Sequence, residues 1–203
     1  MTMAARSAWS LRGWLARLVC CVAIAAASVA ECHAESGTSR GYGPPSTGST
    51  PRTVVTRAYI MNGLLSEIFT RAVYKVAAKL RARDAIVEVG SWTLASDYTA
   101  DVCAHRDDRI IVIGYSLGAV EAAKVATEAQ ACGARDLTMV GIDPPPLRAS
   151  VPPGSRAVNF VGVLGGTIAG AKNIPVTGYD HIAIVDDPVM QERIISTALA
   201  LAR

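Results

Sequence analysis

Between residues 53 and 203, short apolar runs alternate with longer segments in which apolar residues recur at every third or fourth position. The short runs are typical of buried parallel strands, and the longer segments are typical of amphipathic helices. Repeated β-then-α units favour a parallel sheet with right-handed crossovers, so the predicted fold class is α/β. The predicted strands cover residues 54–61, 85–92, 109–113, 137–142 and 156–164.

Four helical segments are predicted between and after these strands, at residues 67–81, 97–104, 119–131 and 188–201. The first carries apolar residues along one face, and the third is rich in alanine. Asp187 as N-cap and Pro188 in the first turn mark the start of the last helix. The segment 173–178 is expected to connect the last strand to His181.

Residues 1–34 have the organisation of a secretory signal peptide. Three arginines precede an apolar run at residues 18–30, and small residues offer cleavage after Ala30 or after Ala34. The run is short and interrupted for a bilayer span, so cleavage and a periplasmic or secreted protein are predicted. An uncleaved anchor is the alternative, whereas no stable membrane span is expected after cleavage.

Composition limits the number of domains and the kinds of partner. Residues 35–52 are rich in Gly, Ser, Thr and Pro and predict a flexible lead-in, whereas residues 53–203 suffice for one domain. Removing residues 1–34 takes away three arginines and Glu31, which leaves 17 basic and 16 acidic residues and a net charge of +1. That balance does not favour nucleic acid as a partner. The sequence shows no metal-ligand cluster, and we expect a monomer without metal or cofactor.

The strongest chemical signal is Gly-Tyr-Ser-Leu-Gly at residues 114–118, directly between the predicted strand at 109–113 and the helix at 119–131. Glycines at this spacing permit a sharp strand-to-helix turn, which pushes the serine between them out above the sheet. The turn therefore presents Ser116 Oγ as a nucleophile. A glycine-rich turn that binds nothing is the alternative.

On this turn and the residues after it, the segment 53–203 resembles the α/β-hydrolase superfamily. In that family a serine, an acid and a histidine follow in this order, each after a successive strand. The resemblance implies Asp143, which closes the run 137–142, as the acid, and His181, the only histidine after the turn, as the base. Asp180, adjacent to the histidine, is the rival acid.

The resemblance also implies a minimal α/β-hydrolase fold, with a mostly parallel central sheet flanked by helices and no cap domain. The longest irregular piece after the serine, residues 144–155, is too short for a cap. An open, shallow site follows. Small cutinase-like enzymes, lipases and thioesterases are the members that the chain resembles most.

The three residue types have separate tasks in acyl transfer. A serine hydroxyl is a weak nucleophile until an imidazole takes its proton, and a carboxylate on the far ring nitrogen holds the correct tautomer. The developing oxyanion needs backbone donors, which the resemblance places at the N–H groups of Leu117 and Leu64. Asn62 stands where many relatives have histidine.

The function that the resemblance implies is that of a serine esterase acting on carboxylic esters or thioesters. The substrate is expected to be a small-molecule or lipid-like acyl ester. An acyltransferase with the same triad and a noncatalytic binding protein of the same fold are the alternatives. Four apolar or aromatic residues either line an acyl site or pack in the core and loops: Leu65, Trp92, Tyr115 and Leu147.

Cys103 and Cys132 are the cysteines that remain if cleavage follows Ala34. Each comes shortly before a predicted strand, the first before Arg109 and the second before Leu137, so both belong to the same edge of the sheet. Neighbouring strands lie about 5 Å apart, and export exposes thiols to oxidising conditions. We predict a disulfide between them; two buried, reduced thiols are the alternative.

Overall fold

The computed structural model of the chain describes residues 53–64, 66–163 and 165–202. The predicted signal peptide, residues 1–34, and the predicted lead-in, residues 35–52, lie outside these ranges. Both therefore stay predictions, as does the start of the domain at residue 53.

Six parallel strands form one sheet in the described part of the chain: β1 Thr56–Asn62, β2 Ile86–Ser91, β3 Arg109–Tyr115, β4 Leu137–Ile142, β5 Arg156–Val161 and β6 Lys172–Pro175. Their order across the sheet is β2-β1-β3-β4-β5-β6. The central strands β3 and β4 are buried along almost their whole length, as continuous apolar runs require in a sheet covered on both faces.

Helices cover both faces of this sheet: α1 Ser66–Arg81, α2 Ala95–Ala104, α3 Leu117–Ala131, α4 Ala183–Asp186 and α5 Pro188–Leu201. A 3-10 turn at Trp92–Leu94 precedes α2. Helices α1, α4 and α5 pack on one face of the strands, and α2 and α3 pack on the other. The predicted α/β class is confirmed, and no cap domain interrupts the described residues. None of the described helices is long and apolar enough to cross a membrane.

The largest differences from the sequence prediction are two short elements and the end of β5, whereas the other predicted strands and helices begin and end within two residues of their expected limits. β6 has four mostly exposed residues and pairs only with β5, so it lacks the apolar run of a buried strand. α4 has four residues, too few for a helical period to be recognised. β5 ends at Val161, before the predicted limit at Leu164, because the N–H of Gly162 donates to a carboxylate instead of continuing the ladder.

The amino ends of the strands are tied together by covalent and ionic contacts. Cys103, in the last turn of α2, and Cys132, directly after α3, form a disulfide with their Cα atoms 5.8 Å apart. We call this region the amino edge; it also contains the ion pairs Arg57–Asp108, Arg109–Asp136 and Arg156–Asp136.

Candidate active site

The turn between β3 and α3 holds Ser116 in an unusual backbone conformation, with φ 56° and ψ −126°. A residue other than glycine rarely adopts positive φ, and such a conformation persists only where surrounding contacts impose it. Two hydrogen bonds do so here: the Ser116 N–H donates to Ile142 O at 2.9 Å, and the N–H of Ala119 donates to Ser116 O at 2.9 Å. The serine is therefore held outside both the strand and the helix.

The glycines on either side of the serine are required by close backbone approach. A Cβ on Gly114 would lie 2.2 Å from Gly118 O, and a Cβ on Gly118 would lie 2.2 Å from Met61 O. Because α3 begins this close to both β1 and β3, any side chain at these two positions would displace the helix. The sequence pattern thus has the steric cause expected of a strand-to-helix elbow.

The turn after β1 packs directly against the serine. A Cβ on Gly63 would lie 2.6 Å from Ser116 Cβ and 2.9 Å from both Ser116 Oγ and Leu117 N. Leu64, the second predicted oxyanion donor, follows in this turn. Asn62 is 3% exposed, and its Oδ1 has no hydrogen-bond partner among the described residues. The structure therefore brings the segment 62–64 together with the Leu117 N–H, while the oxyanion role of both donors stays a prediction.

Asp143 directly follows β4 and also has positive φ, at 47°. Its N–H donates to Phe160 O at 2.8 Å, so the residue is anchored to the neighbouring strand. Its carboxylate is fully buried: Oδ1 accepts from the Gly162 N–H at 2.7 Å, and Oδ2 lies 2.6 Å from His181 Nδ1. A buried carboxylate is stable only with such partners, because burial removes its hydration.

Two glycines after β5, Gly162 and Gly165, lie against this carboxylate. A Cβ on Gly162 would lie 2.8 Å from Asp143 Oδ1, and a Cβ on Gly165 would lie 2.0 Å from the same atom. Side chains at these positions would therefore push the carboxylate away from the imidazole. Neither glycine stood out in the sequence, although the repeated glycines after β5 were a visible signal.

The rival acid, Asp180, has a different task. Its Oδ1 accepts from the N–H groups of Ile182 at 2.9 Å and Ala183 at 2.7 Å, which caps the start of α4. The imidazole of His181 is bonded to Asp143 instead.

His181 lies between β6 and α4, and its side chain is 38% exposed. The ring of Tyr115 stacks on the imidazole, with centroids 4.9 Å apart and an angle of 25° between the planes. The Tyr115 hydroxyl donates to His181 O at 2.7 Å. Tyr115 is 1% exposed, so it packs against the histidine instead of lining an open acyl site. Its position directly before Ser116 was the only sequence signal for this contact.

Ser116 Oγ and the His181 ring are not hydrogen-bonded to each other in this structure. Hydrogen bonds between nucleophile and base are often long without substrate and shorten when it binds. His181 is thus hydrogen-bonded to both Asp143 and Tyr115. Ser116 directly follows Tyr115 in the chain. The catalytic roles of the three predicted residues stay predictions. We call the region that holds Ser116, Asp143 and His181 the carboxyl edge.

No family model and no curated protein matches this sequence. Among solved structures, the chain is similar to the thioesterase domain of NocB from the nocardicin cluster, at 14% identity and a TM-score of 0.50, over 72% of this chain and 95% of that one. That match, the parallel sheet and the elbow after β3 decide the fold. The chain has the α/β-hydrolase fold.

Two further solved structures with this fold are similar at TM-scores below 0.50. Dienelactone hydrolase from Anabaena variabilis has 12% identity and a TM-score of 0.49, over 74% of this chain and 86% of that one. YbtT, a type II thioesterase from the yersiniabactin pathway, has 10% identity and a TM-score of 0.47, over 75% and 96%. The match to the NocB domain, at 14% identity and a TM-score of 0.50, shows the fold alone.

Within this α/β-hydrolase fold, two shallow grooves adjoin each other beside the carboxyl edge. The larger, about 700 Å³, lies between residues 146–150 and 165–169, and the smaller, about 340 Å³, lies between residues 148–150 and α3. Neither is lined by Ser116 or His181.

Proposed function

We propose that this protein is an exported serine hydrolase that cleaves carboxylic esters or thioesters through an acyl intermediate on Ser116. The observation that carries the proposal is the buried Asp143 carboxylate 2.6 Å from His181 Nδ1, at the same sheet edge as the elbow serine. A carboxylate that orients an imidazole near a serine is the arrangement that activates a hydroxyl for acyl transfer.

In the proposed reaction, Ser116 Oγ attacks the acyl carbonyl carbon while His181 Nε2 takes the hydroxyl proton. Asp143 holds Nδ1 and stabilises the imidazolium. The N–H groups of Leu117 and Leu64 donate to the oxyanion of the tetrahedral intermediate. The C–O or C–S bond then breaks, and the imidazolium gives its proton to the leaving alcohol or thiol.

Water completes the turnover. It attacks the acyl-Ser116 carbonyl as His181 accepts one of its protons, and collapse of the second tetrahedral intermediate returns that proton to Ser116 Oγ. The products are the free acid and the free enzyme. This reaction requires no metal or cofactor.

Exposed apolar side chains beside the reactive groups support a substrate with an apolar acyl part. Val163, next to the Gly162 that binds Asp143, is 70% exposed, and Ile182, next to His181, is 48% exposed. Side chains of this kind gain free energy when a substrate covers them. The proposed substrate is therefore a small-molecule or lipid-like acyl ester that reaches an open site.

Export is proposed on two grounds. Residues 1–34 have the sequence of a signal peptide, and a disulfide persists in oxidising compartments such as the periplasm or the medium.

The test is labelling of the exported protein with a fluorophosphonate probe, together with hydrolysis of p-nitrophenyl esters of graded chain length. We expect label on Ser116 and release of p-nitrophenol, and neither from the Ser116→Ala variant. Label on another residue, or no label, would refute the assignment of Ser116 as the nucleophile. An acyltransferase would label equally but would turn over only after an acceptor alcohol or amine is added, whereas a binding protein would do neither.

A further inference from the structure

The imidazole of His181 sits on a segment without regular secondary structure. β6 ends at Pro175, and α4 begins at Ala183. The contact with Asp143 holds one ring nitrogen, but a single hydrogen bond tolerates a range of angles and does not by itself fix the ring plane. A base that must meet a serine needs its ring plane and its backbone held as well, since small misplacements of catalytic groups are costly.

Tyr115 supplies both of the missing constraints. Its ring lies nearly parallel to the imidazole, with centroids 4.9 Å apart, and thereby restricts the plane of the histidine. Its hydroxyl donates to His181 O at 2.7 Å and so holds the backbone at that residue. The two residues are 66 positions apart in sequence.

The side chain of Tyr115 is itself well anchored. Residue 115 ends β3, pairs in register with Ile142 of β4, and is 1% exposed. Burial raises the pKa of Tyr115, and the negative charges of Asp143 and Asp180 raise it further. The hydroxyl therefore keeps its proton and remains a donor at and above neutral pH.

We propose that Tyr115 is a positioning residue that ties His181 to the strand carrying the nucleophile. Tyr115 directly precedes Ser116 in the chain. Its contacts with His181 therefore fix the position of the base relative to the backbone of the serine with which the base exchanges a proton. The stack covers one face of the imidazole and leaves both nitrogens at the ring edge, so proton transfer is not obstructed. The catalytic part of this inference rests on the proposed function; the contact itself does not.

Three variants separate the two constraints from general loss of stability. Tyr115→Phe removes the hydroxyl and keeps the stack, and Tyr115→Leu removes both. Tyr59→Phe is the matched control, because Tyr59 is also 1% exposed in a central strand and its hydroxyl donates at 2.5 Å to Asp101, on α2. Tyr59→Phe thus loses a partly buried tyrosine hydrogen bond that does not involve His181.

We expect Tyr115→Phe to lower kcat about tenfold with KM changed less than about twofold, which is the size of one lost hydrogen bond expressed as a rate. Tyr115→Leu should lower kcat about 100-fold or more, since the ring contact is lost too. Tyr59→Phe should lower the melting temperature and leave kcat unchanged. Equal kcat in Tyr115→Phe and Tyr59→Phe would overturn the proposal, even if Tyr115→Leu does not fold.

A second readout keeps this inference distinct from the proposed function. The chain has only three histidines, and His105, bonded to Asp101 at the end of α2, provides an internal reference. In the ¹⁵N-histidine NMR spectrum of the exported protein, Tyr115→Phe should shift and broaden the ring signals of His181 but not those of His105. Unchanged His181 signals would refute the proposal that the Tyr115 hydroxyl positions His181. If the wild type neither labels nor hydrolyses esters, the proposed function fails while this spectrum still decides the role of Tyr115.

Discussion

The two edges of the sheet hold their polar groups in opposite ways. At the carboxyl edge, Ser116 and Asp143 both have positive φ, and a buried carboxylate faces an imidazole and a backbone N–H. At the amino edge, carboxylates face guanidinium groups, and a disulfide joins the ends of α2 and α3. The carboxyl edge thus contains strained backbone and a buried, hydrogen-bonded carboxylate, whereas the amino edge contains ion pairs and a covalent cross-link.

This contrast indicates that reactivity and stability are supplied by different ends of the same strands. A strained residue such as Ser116 costs about 1–3 kcal/mol and is tolerated only where the rest of the fold is stable enough. Asp84 also has positive φ, but it is exposed and follows the end of α1, where aspartate readily adopts that conformation. Changes at the two edges should therefore affect different measurements.

The largest effect is expected from Ser116→Ala. Ester turnover should fall by about 10⁴-fold or more, because no other group can form the acyl intermediate. Stability should change little, since the hydroxyl makes no hydrogen bond among the described residues. Thermal melting and p-nitrophenyl ester assays on the same sample check both parts; hydrolysis within tenfold of wild type would contradict the nucleophile.

Asp143→Asn should lower kcat about 10³- to 10⁴-fold, because an amide beside Nδ1 favours the wrong tautomer of His181. Asp180→Asn is the matched control, as it changes an exposed carboxylate that only caps α4. The control should keep that cap, because the side-chain oxygen of asparagine accepts from the same N–H groups, and it should leave kcat within about threefold of wild type. A larger loss of kcat in Asp180→Asn than in Asp143→Asn would mean that the acid is misassigned.

Removal of the disulfide should lower the stability of the protein and leave its turnover almost unchanged, the opposite of the effect of Ser116→Ala. The bond joins residues 29 positions apart, and closing a loop of that length stabilises by about 3–4 kcal/mol in the chain-entropy model. The double variant Cys103→Ser/Cys132→Ser should therefore melt about 8–15 °C lower. Its kcat at 25 °C should stay within about twofold of wild type, since the bond lies at the amino edge. A large loss of kcat in the fully folded variant would contradict the claim that the amino edge contributes to stability and not to turnover.

The smallest effect concerns pH and α2, the helix whose last turn carries Cys103. Burial raises the pKa of Tyr98, on α2, to about 12, and the charge of Glu88 adds to the shift. Tyrosine in the unfolded chain titrates near pH 10, so the contribution of Tyr98 is fully present below that pH. Between pH 10 and 12 the unfolded state loses its proton first, and the free energy of unfolding should fall by about 2 kcal/mol from this group.

Tyr98→Phe isolates that contribution, because other tyrosines titrate alike in both proteins. Urea unfolding at pH 8, 10 and 12 should show that the stability difference between wild type and variant shrinks or reverses as pH rises. Parallel pH dependence of the two proteins would contradict the shifted titration. Ester hydrolysis at pH 8 should be equal in both.

Much of the fold could be predicted because its signals are local. The run 137–142 matches β4 residue for residue, since a fully buried strand must be apolar throughout. Asp187 and Pro188 mark the start of α5, where the Asp187 side chain accepts from two backbone N–H groups. β6 and α4 were missed because neither has a local signal: β6 is defined by pairing Phe160 with Ile174.

The candidate site likewise has features that local sequence predicts and features that only tertiary contacts define. Glycines 114 and 118, and the order of Ser116, Asp143 and His181, are written in the chain, so the sequence by itself determined the elbow and the residues that could act with it. The tertiary structure decided that Asp143, and not Asp180, bonds the imidazole, and that Tyr115 holds it. The physical reason is distance: these contacts join residues 38 and 66 positions apart, and only the packed sheet brings them within hydrogen-bond range.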